Sequence, residues 1–412
     1  MRYWFLCALS LLAFPDSARS GSLDTGASPS LATPAPENSV SRRVNVIGWP
    51  EGKKPTAPEG FVVTKFQGDL KNPRWIYILP NDDILISEAK STWQGLSANR
   101  ITLLRDKDKD GKADENHVLI KGLNKPFGML YANGFLYIAN TDSLMRYAFT
   151  PGQTKIEGDG EKLLELPAGG YNNHWTRNLF ADKDGKHIFI TVGSASNNAE
   201  NGIEKEERRA NILRVDMDGK NEEVFAYGLR NPNGLAYEPV SGKLWTVVNE
   251  RDELGDDLVP DYMTSVQKDG FYGWPYSYFG QNEDPRMKGQ RPDLVEKAIK
   301  PDYALGAHTA TLGLAFYKGK AFPKEYRGGA FVGQRGSWNR SRYAGYRVAF
   351  IPFKNGKPQG MPKTFLGDFL KDPSTDEAYG RPVAVVEQKD GTLLVSDDAG
   401  NTIWHVSYRN GE

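Results

Sequence analysis

One short pattern recurs six times along this chain and constrains its architecture more than any single residue does. Each copy has an opening rich in Pro, Gly or polar residues, an apolar strand, a Gly or Asp turn, a second apolar strand, and a loop leading to a third. The copies begin at Asn72-Pro73-Arg74-Trp75, Lys125-Pro126-Phe127-Gly128, Thr176-Arg177-Asn178-Leu179, Asn231-Pro232-Asn233-Gly234, Thr311-Leu312-Gly313-Leu314 and Gly380-Arg381-Pro382-Val383. They lie about 50 to 80 residues apart, which suits one four-stranded blade with loops of variable length. The second strands, such as Asp83 to Ser87, His187 to Val192 and Thr392 to Ser396, are short, apolar and rich in β-branched residues. Strands buried on both faces between stacked blades need not alternate. The pattern predicts an all-β fold, a six-bladed β-propeller. Phe61 to Phe66 precedes the first copy and Thr402 to Tyr408 ends the last, so the N-terminal strand is expected to pair with the last blade and close the ring. Helical periodicity is scarce, with Asn201 to Ala210 the best candidate for a short helix.

At 412 residues the chain could hold two or three average domains, but the repeat favours one ring over 41–412. Lys plus Arg and Asp plus Glu each number 52, so no global field favours nucleic acid or an anionic membrane. Residues 1–20 place Arg2 before the apolar run Tyr3 to Phe14, followed by small residues around Ala18, the pattern of a secretory signal peptide. Export, to a periplasm if the source has one, is the expectation. The single cysteine, Cys7, falls inside that run, so a processed chain has neither disulfide nor thiolate chemistry. Residues 21–40 turn to Gly, Ser, Thr, Ala and Pro and read as a flexible tether. No later stretch is long and apolar enough to cross a bilayer as a helix.

A propeller alone says little about function, so chemistry must be sought in the loops. Of five histidines, His187 and His405 fall in expected strands, His117 follows an acidic turn and His308 precedes the fifth copy. His174 differs, because it opens the third copy, where an innermost strand begins at the mouth of a ring. A lone histidine is usually a structural hydrogen-bonder. Here it has company: Arg230 and Arg381 open the fourth and sixth copies, and Arg340 follows the second strand of the fifth. If these loops share one face, three guanidiniums converge with His174. Arginines clustered without carboxylate partners await an anionic ligand, since their fork matches carboxylate or phosphate.

Several motifs then carry a family resemblance: Asn173-His174, the run Gly228-Leu229-Arg230-Asn231-Pro232-Asn233-Gly234-Leu235, the acidic stretch Asn249 to Asp257, Phe271-Tyr272-Gly273-Trp274-Pro275, and Arg381-Pro382-Val383 followed by Leu394 to Asp398. From about Asn72 to Tyr408 the chain resembles the quinoprotein sugar dehydrogenases of the six-bladed propeller type, including soluble glucose, aldose sugar and L-sorbosone dehydrogenases. The resemblance implies pyrroloquinoline quinone (PQQ) at the mouth, and oxidation of an aldose or sugar aldehyde at its anomeric or aldehyde carbon. It implies His174 as general base and Arg230 as stabiliser of the developing oxyanion, with Asn231 on a quinone oxygen and Arg340 and Arg381 on cofactor carboxylates. A calcium ion on the quinone is also implied. The family's Gly-Pro carbonyl ligands are replaced here by Asp252-Glu253, which leaves carbonyl or carboxylate ligation open. A lysine that the glucose enzymes place near the quinone has no counterpart, and Arg335 or Arg340 is the expected replacement. Asn173 and Asn197 are the expected sugar contacts. The electron acceptor is not encoded in any recognisable motif.

Other readings remain. The segment Asp106 to Glu115 has the alternating carboxylates and central glycine of a calcium loop but lacks a bidentate Glu at its twelfth position, so a structural ion and a plain solvated hairpin both stand. A calcium-dependent propeller lactonase would use carboxylates and a histidine without needing three arginines. A non-catalytic interaction propeller would pair its mouth arginines rather than leave them free.

Overall fold

The computed structural model describes residues 24–91 and 95–409. The expected signal peptide lies outside the described residues. Six antiparallel sheets follow one another along the chain. Blade one comprises Pro73–Ile78, Ile84–Glu88, Arg100–Arg105 and Glu115–Lys121. Blade two runs from Met129–Ala132 to Glu161–Glu165, and blade three from Leu179–Ala181 to Glu223–Tyr227. Blade four runs from Asn231–Tyr237 to Tyr303–Ala307, and blade five from Thr311–Phe316 to Lys363–Leu366. Blade six comprises Pro382–Glu387, Leu393–Asp397, Thr402–Tyr408 and, from the other end of the chain, Phe61–Gln67. That last strand pairs antiparallel with Thr402–Tyr408, Phe61 facing Tyr408 and Thr64 facing His405, so the ring closes as the sequence implies.

The first strand of each blade touches the first strand of the next, all the way round the axis. This explains the glycines of the repeat. A Cβ on Gly234 of blade four would lie 2.6 Å from the Leu314 backbone nitrogen of blade five, and one on Gly313 would collide with the Val383 carbonyl of blade six. Backbone meets backbone at the hub, and only hydrogen fits.

Between each pair of blades lies one apolar cluster. Leu85, Leu103, Met129 and Ile138 fill the space between blades one and two, Tyr317, Phe331, Val395 and Trp404 that between five and six, and four further clusters occupy the remaining gaps. Both faces of every middle strand are therefore buried, which is why Ile84–Glu88 and Leu393–Asp397 show no polar alternation. Each fully buried Leu or Ile contributes about 1.5–3 kcal/mol of transfer free energy.

Two expectations need correction. Asn201 to Ala210 holds only a four-residue 3-10 turn, Ile203–Glu206, whose buried Glu206 accepts from the Ala195 and Ser196 amides of the preceding loop. The expected tether is, from Asp24 on, laid against the propeller. Thr25–Gly26 adds a fifth strand to blade four beside Leu305 and Ala304. The Asp24 carboxylate, buried, accepts from the Ala307 amide, and the Ala35 amide donates to the Leu254 carbonyl. Further on, Asn45–Val46 pairs with Glu377–Ala378 of the loop before blade six. Composition misled because this segment is held by backbone pairing and a few anchored side chains rather than by a periodic apolar face. It forms a strap that crosses blades four, five and six before the closing strand begins.

Candidate active site

The openings of the first strands and the loops after the second strands gather at one end of the ring. In blades one, four, five and six the first strand starts with a register shift against its neighbour, between Pro73 and Trp75, Pro232 and Leu235, Thr311 and Gly313, and Pro382 and Val385. Such bulges re-aim the side chains beside them. They surround a cavity of about 590 Å³ lined by His174, Asn173, Asn197, Arg230, Asn231, Asp252, Glu253, Arg335 and Arg381, and also by Arg43, Arg74 and Trp338. Nine of the ten nominated residues thus share one cavity; Arg340 is the exception.

His174 has its tautomer set by its neighbours. Its Nδ1 lies 2.9 Å from the Ser194 carbonyl, to which it must donate, and 3.0 Å from Ser194 Oγ, whose own proton goes to the Ser196 carbonyl at 2.6 Å. Nε2, without a hydrogen-bond partner among the described residues, therefore carries the lone pair. Burial and the neighbouring Arg230 guanidinium push the imidazole pKa down to about 3, so the ring is neutral over the ordinary pH range. The backbone is held as well, since buried Arg177 donates to the His174 and Thr176 carbonyls at 2.9 and 2.8 Å and to that of Pro167 at 2.7 Å. That arginine, within a motif of the repeat, was not singled out from sequence because nothing there tells an inward structural arginine from a surface one.

Arg230 is immobilised by five contacts. Nε donates to the Asn197 carbonyl at 2.9 Å, one terminal nitrogen to the Glu250 and Asn249 carbonyls at 2.6 and 3.4 Å, and the other to Asn197 Oδ1 at 2.9 Å and Asp252 Oδ2 at 3.2 Å. A guanidinium has five N–H donors. All are taken, so Arg230 can act on a bound molecule through its charge but not by a free hydrogen bond, contrary to the oxyanion contact implied for it. Asn197 is likewise occupied: its Oδ1 also accepts from the Asp252 amide at 2.8 Å, and its Nδ2 faces the Asp252 carbonyl and Glu253 Oε2, each at 3.3 Å. It is a bracket for Arg230 rather than an open sugar contact. Asn231 differs, its buried Oδ1 having no protein partner.

Across the cavity stand Arg74, Arg335 and Arg381, of which Arg74 and Arg335 share one carboxylate. Asp398 Oδ2 accepts from Arg335 Nε at 2.8 Å and from a terminal nitrogen of Arg74. Burial opposes ionisation of Asp398, yet Arg335 and Arg74 more than offset it and hold its pKa below the usual value. Among the described residues the Arg381 guanidinium has no carboxylate partner; it donates to the Arg335 carbonyl at 2.9 Å and to the Gly336 carbonyl, and lies 5.1 Å from the Tyr346 ring centroid. Burial, and then Arg335, lower its pKa to about 10. Among the described residues neither terminal nitrogen of Arg335 nor the buried Nε of Arg74 has a hydrogen-bond partner. Three cations facing one anion, with donors to spare, make a site for an anionic ligand. Of the arginines nominated from sequence only the Arg381 guanidinium has no acidic partner among the described residues, and the charge excess comes from Arg74, which was missed. In the fourth and sixth copies the cation precedes the proline, whereas Arg74 follows Pro73, inside the bulge.

Arg340 does not belong here. It donates to the Ala307 carbonyl at 3.0 Å and forms ion pairs with Asp257 and, at 3.6 Å, with Asp24. The loop after Gln334 turns Trp338 and Asn339 to the mouth and Arg340 to the strap, where two acids distant in sequence receive it. The expected calcium ligands do not fit a cation as arranged. Asp252 has one oxygen on Arg230 and the other on Asn339 Nδ2, and its carbonyl accepts from Arg251 Nε at 2.9 Å. The Glu253 carbonyl also faces Arg251, at 3.3 Å. Among the described residues the acidic or histidine groupings of three lie elsewhere, at Asp106, Asp108 and Asp114 and at Asp182, Asp184 and His187. In the first of these the carboxylates accept from the loop's own Lys107, Asp110 and Gly111 amides, the pattern of a hairpin turn between two strands of blade one. Glu250 lines the same cavity, its pKa pushed up to about 8 by burial.

Comparison with known proteins follows this geometry. A sequence model described as TrAA12-like matches residues 281–409. An uncharacterized protein of Borreliella burgdorferi is 29% identical over 364 residues, covering 85% of this chain and 90% of that one. A pyrroloquinoline quinone-dependent pyranose dehydrogenase of Coprinopsis cinerea is 24% identical over 85% of this chain, which spans 54% of the fungal sequence. Among solved structures, the holo form of the pyranose dehydrogenase PQQ domain from Coprinopsis cinerea superposes with a TM-score of 0.72 at 20% identity, over 88% of this chain and all of that one. The sequence model of the Glucose / Sorbosone dehydrogenase family matches residues 129–337, half of the chain and the stretch that carries His174, Arg230 and Arg335, and the protein belongs to that family.

Proposed function

We propose that the protein oxidises an aldose or related sugar aldehyde at its anomeric or aldehyde carbon with bound PQQ, His174 acting as general base. The observation that carries this reading is the pairing, in one cavity, of a neutral imidazole whose Nε2 lone pair is unspent with three guanidiniums, only two of which are bonded to a carboxylate, Asp398. PQQ is a planar tricarboxylate, and Arg74, Arg335 and Arg381 would hold its carboxylates while Asn231, through its Nδ2 donor, would meet a quinone oxygen. When bound it supplies the two-electron acceptor for the hydrogen on the sugar carbon. His174 Nε2 takes the hydroxyl proton. The Ser194 carbonyl favours that step, because it stabilises Nδ1–H as the imidazole becomes cationic. Arg230 keeps the imidazole neutral beforehand and contributes its fixed charge where negative charge develops on the sugar oxygen. Asn173 remains the nearest candidate for a sugar contact. The lactonase alternative loses ground because Asp252 is spent on Arg230 and Asn339. Calcium is given no step. Residues 1–20 are proposed to be removed on export; N-terminal sequencing of the exported protein tests this.

The decisive experiment is an absorbance titration of purified protein with PQQ, followed by bleaching with aldoses. A stoichiometric complex reduced by sugar is expected, and a protein that never binds PQQ ends this reading. His174→Gln should keep PQQ affinity while slowing reduction on the order of 10²- to 10⁴-fold. Reduction at the wild-type rate would show that another group is the base.

A further inference from the structure

The strap places two consecutive arginines beside the mouth, and they have different surroundings. Arg42 has structural partners: its amide donates to the Trp338 carbonyl, its Nε to Asp376 at 2.9 Å and a terminal nitrogen to the Ser341 carbonyl at 2.7 Å, and its guanidinium lies 4.5 Å from the Tyr343 ring centroid. Arg43 has none of these. Among the described residues no acid or carbonyl bonds its guanidinium, which sits 5.4 Å from the centroid of the Trp338 ring. It is exposed and lines the cavity. Trp338 is itself 40% exposed, an aromatic face left open at the mouth. The backbone on either side is pinned, by Arg42 on one side and on the other by the pairing of Asn45 and Val46 with Glu377 and Ala378. A cation on fixed backbone, over an open aromatic ring, is therefore presented to whatever enters. The acids of the cavity, Glu200, Glu250, Asp252, Glu253 and Asp261, come from blades three and four, whereas Arg43 stands on the side of blades five and six with Arg335 and Arg381.

We propose that Arg43, carried by the N-terminal strap over Trp338, is a specificity residue that selects sugars bearing an anionic group, a carboxylate or a phosphate, at a distance from the oxidised carbon. This rests on the dehydrogenase reading and narrows its substrate class. The aromatic face receives the C–H side of a sugar ring, and the guanidinium receives the anion. Buried Arg74 and half-buried Arg335 and Arg381 are claimed by the cofactor in that reading, so exposed Arg43 is the cation left for substrate.

The test compares glucuronate and glucose 6-phosphate, each against glucose, with wild type, Arg43→Gln and Arg43→Lys. In PQQ-loaded protein the ratio of kcat/KM for the anionic sugar to that for glucose should fall about tenfold in Arg43→Gln, the scale of one charge-assisted hydrogen bond. It should fall less in Arg43→Lys, and the wild-type ratio should shrink at high salt. Whichever anionic sugar responds identifies carboxylate or phosphate as the group read. Binding without turnover, followed by calorimetry on full-length protein lacking PQQ, should show the same preference for the anionic sugar and its loss in Arg43→Gln. Equal losses for charged and neutral sugars, a wild type with no preference, a fall in PQQ affinity instead, or a change in thermal stability alone would each overturn the proposal. If wild type oxidises no sugar, the dehydrogenase reading fails, and the calorimetric comparison still decides whether Arg43 selects anions.

Discussion

At the scale of the residue, protonation of His174 links the site to stability. Its pKa is about 3 in the folded protein against 6.5 for an ordinary imidazole. Between these values the unfolded chain binds a proton that the folded protein refuses, so this group withdraws stability as pH falls from 6.5 towards 3. His174→Gln removes the effect. Urea denaturation at pH 7 and pH 4.5 should show a smaller loss of stability on acidification in the variant than in wild type, and equal losses would mean that His174 is not buried as described. Arg381 and Arg340, both nominated for cofactor carboxylates, should separate just as cleanly. Arg381→Ala should weaken PQQ binding about 10- to 100-fold, the scale of one or two charged hydrogen bonds. Arg340→Ala should leave the absorbance titration unchanged and cost about 1–3 kcal/mol in unfolding free energy, because buried Asp24 loses its ion pair. What separates the two side chains is which acids lie near them in space, and sequence order does not contain that. The same holds for Asp252, nominated as a ligand because it is acidic but held by Arg230, a partner 22 positions earlier.

At the scale of the element, the blades were legible because their pattern is local. Two apolar strands joined by a turn identify themselves over a dozen residues, and the six openings quoted from sequence fall at or just before the first strands observed. The hub adds a sharper requirement. Gly234→Ala places a methyl 2.6 Å from the Leu314 nitrogen and 2.9 Å from the Leu312 carbonyl, atoms of a strand that cannot retreat without disturbing blade five. A loss of about 1–3 kcal/mol is expected in denaturant unfolding, with the cavity disturbed at Asn231, three residues away on the same strand. Trp404→Ala, in the core between blades five and six, should cost about 3–5 kcal/mol. The strap was not legible, since two short pairings and a buried aspartate leave no periodic trace. Where a segment is held by the surface beneath it, its own composition reports only that it is not a core element.

At the scale of the whole molecule, ring closure joins the two ends of the chain. Thr64 lies beside His405, 341 positions later, whereas the four main strands of every other blade come from one stretch of chain, the extra strand Thr25–Gly26 on blade four aside. Contacts of such separation are made late, because the entropy of closing so long a loop must be met before any pairing rewards it. Five blades can condense as their residues become available, but the sixth holds an unpaired edge until the two ends meet. A nascent chain missing its last strand should therefore remain open and prone to edge-to-edge association. In refolding, tertiary fluorescence from the early blades should recover before protease resistance of Phe61–Gln67. The strap that shapes the mouth directly precedes this strand, so sugar recognition should be the last property a refolding molecule regains.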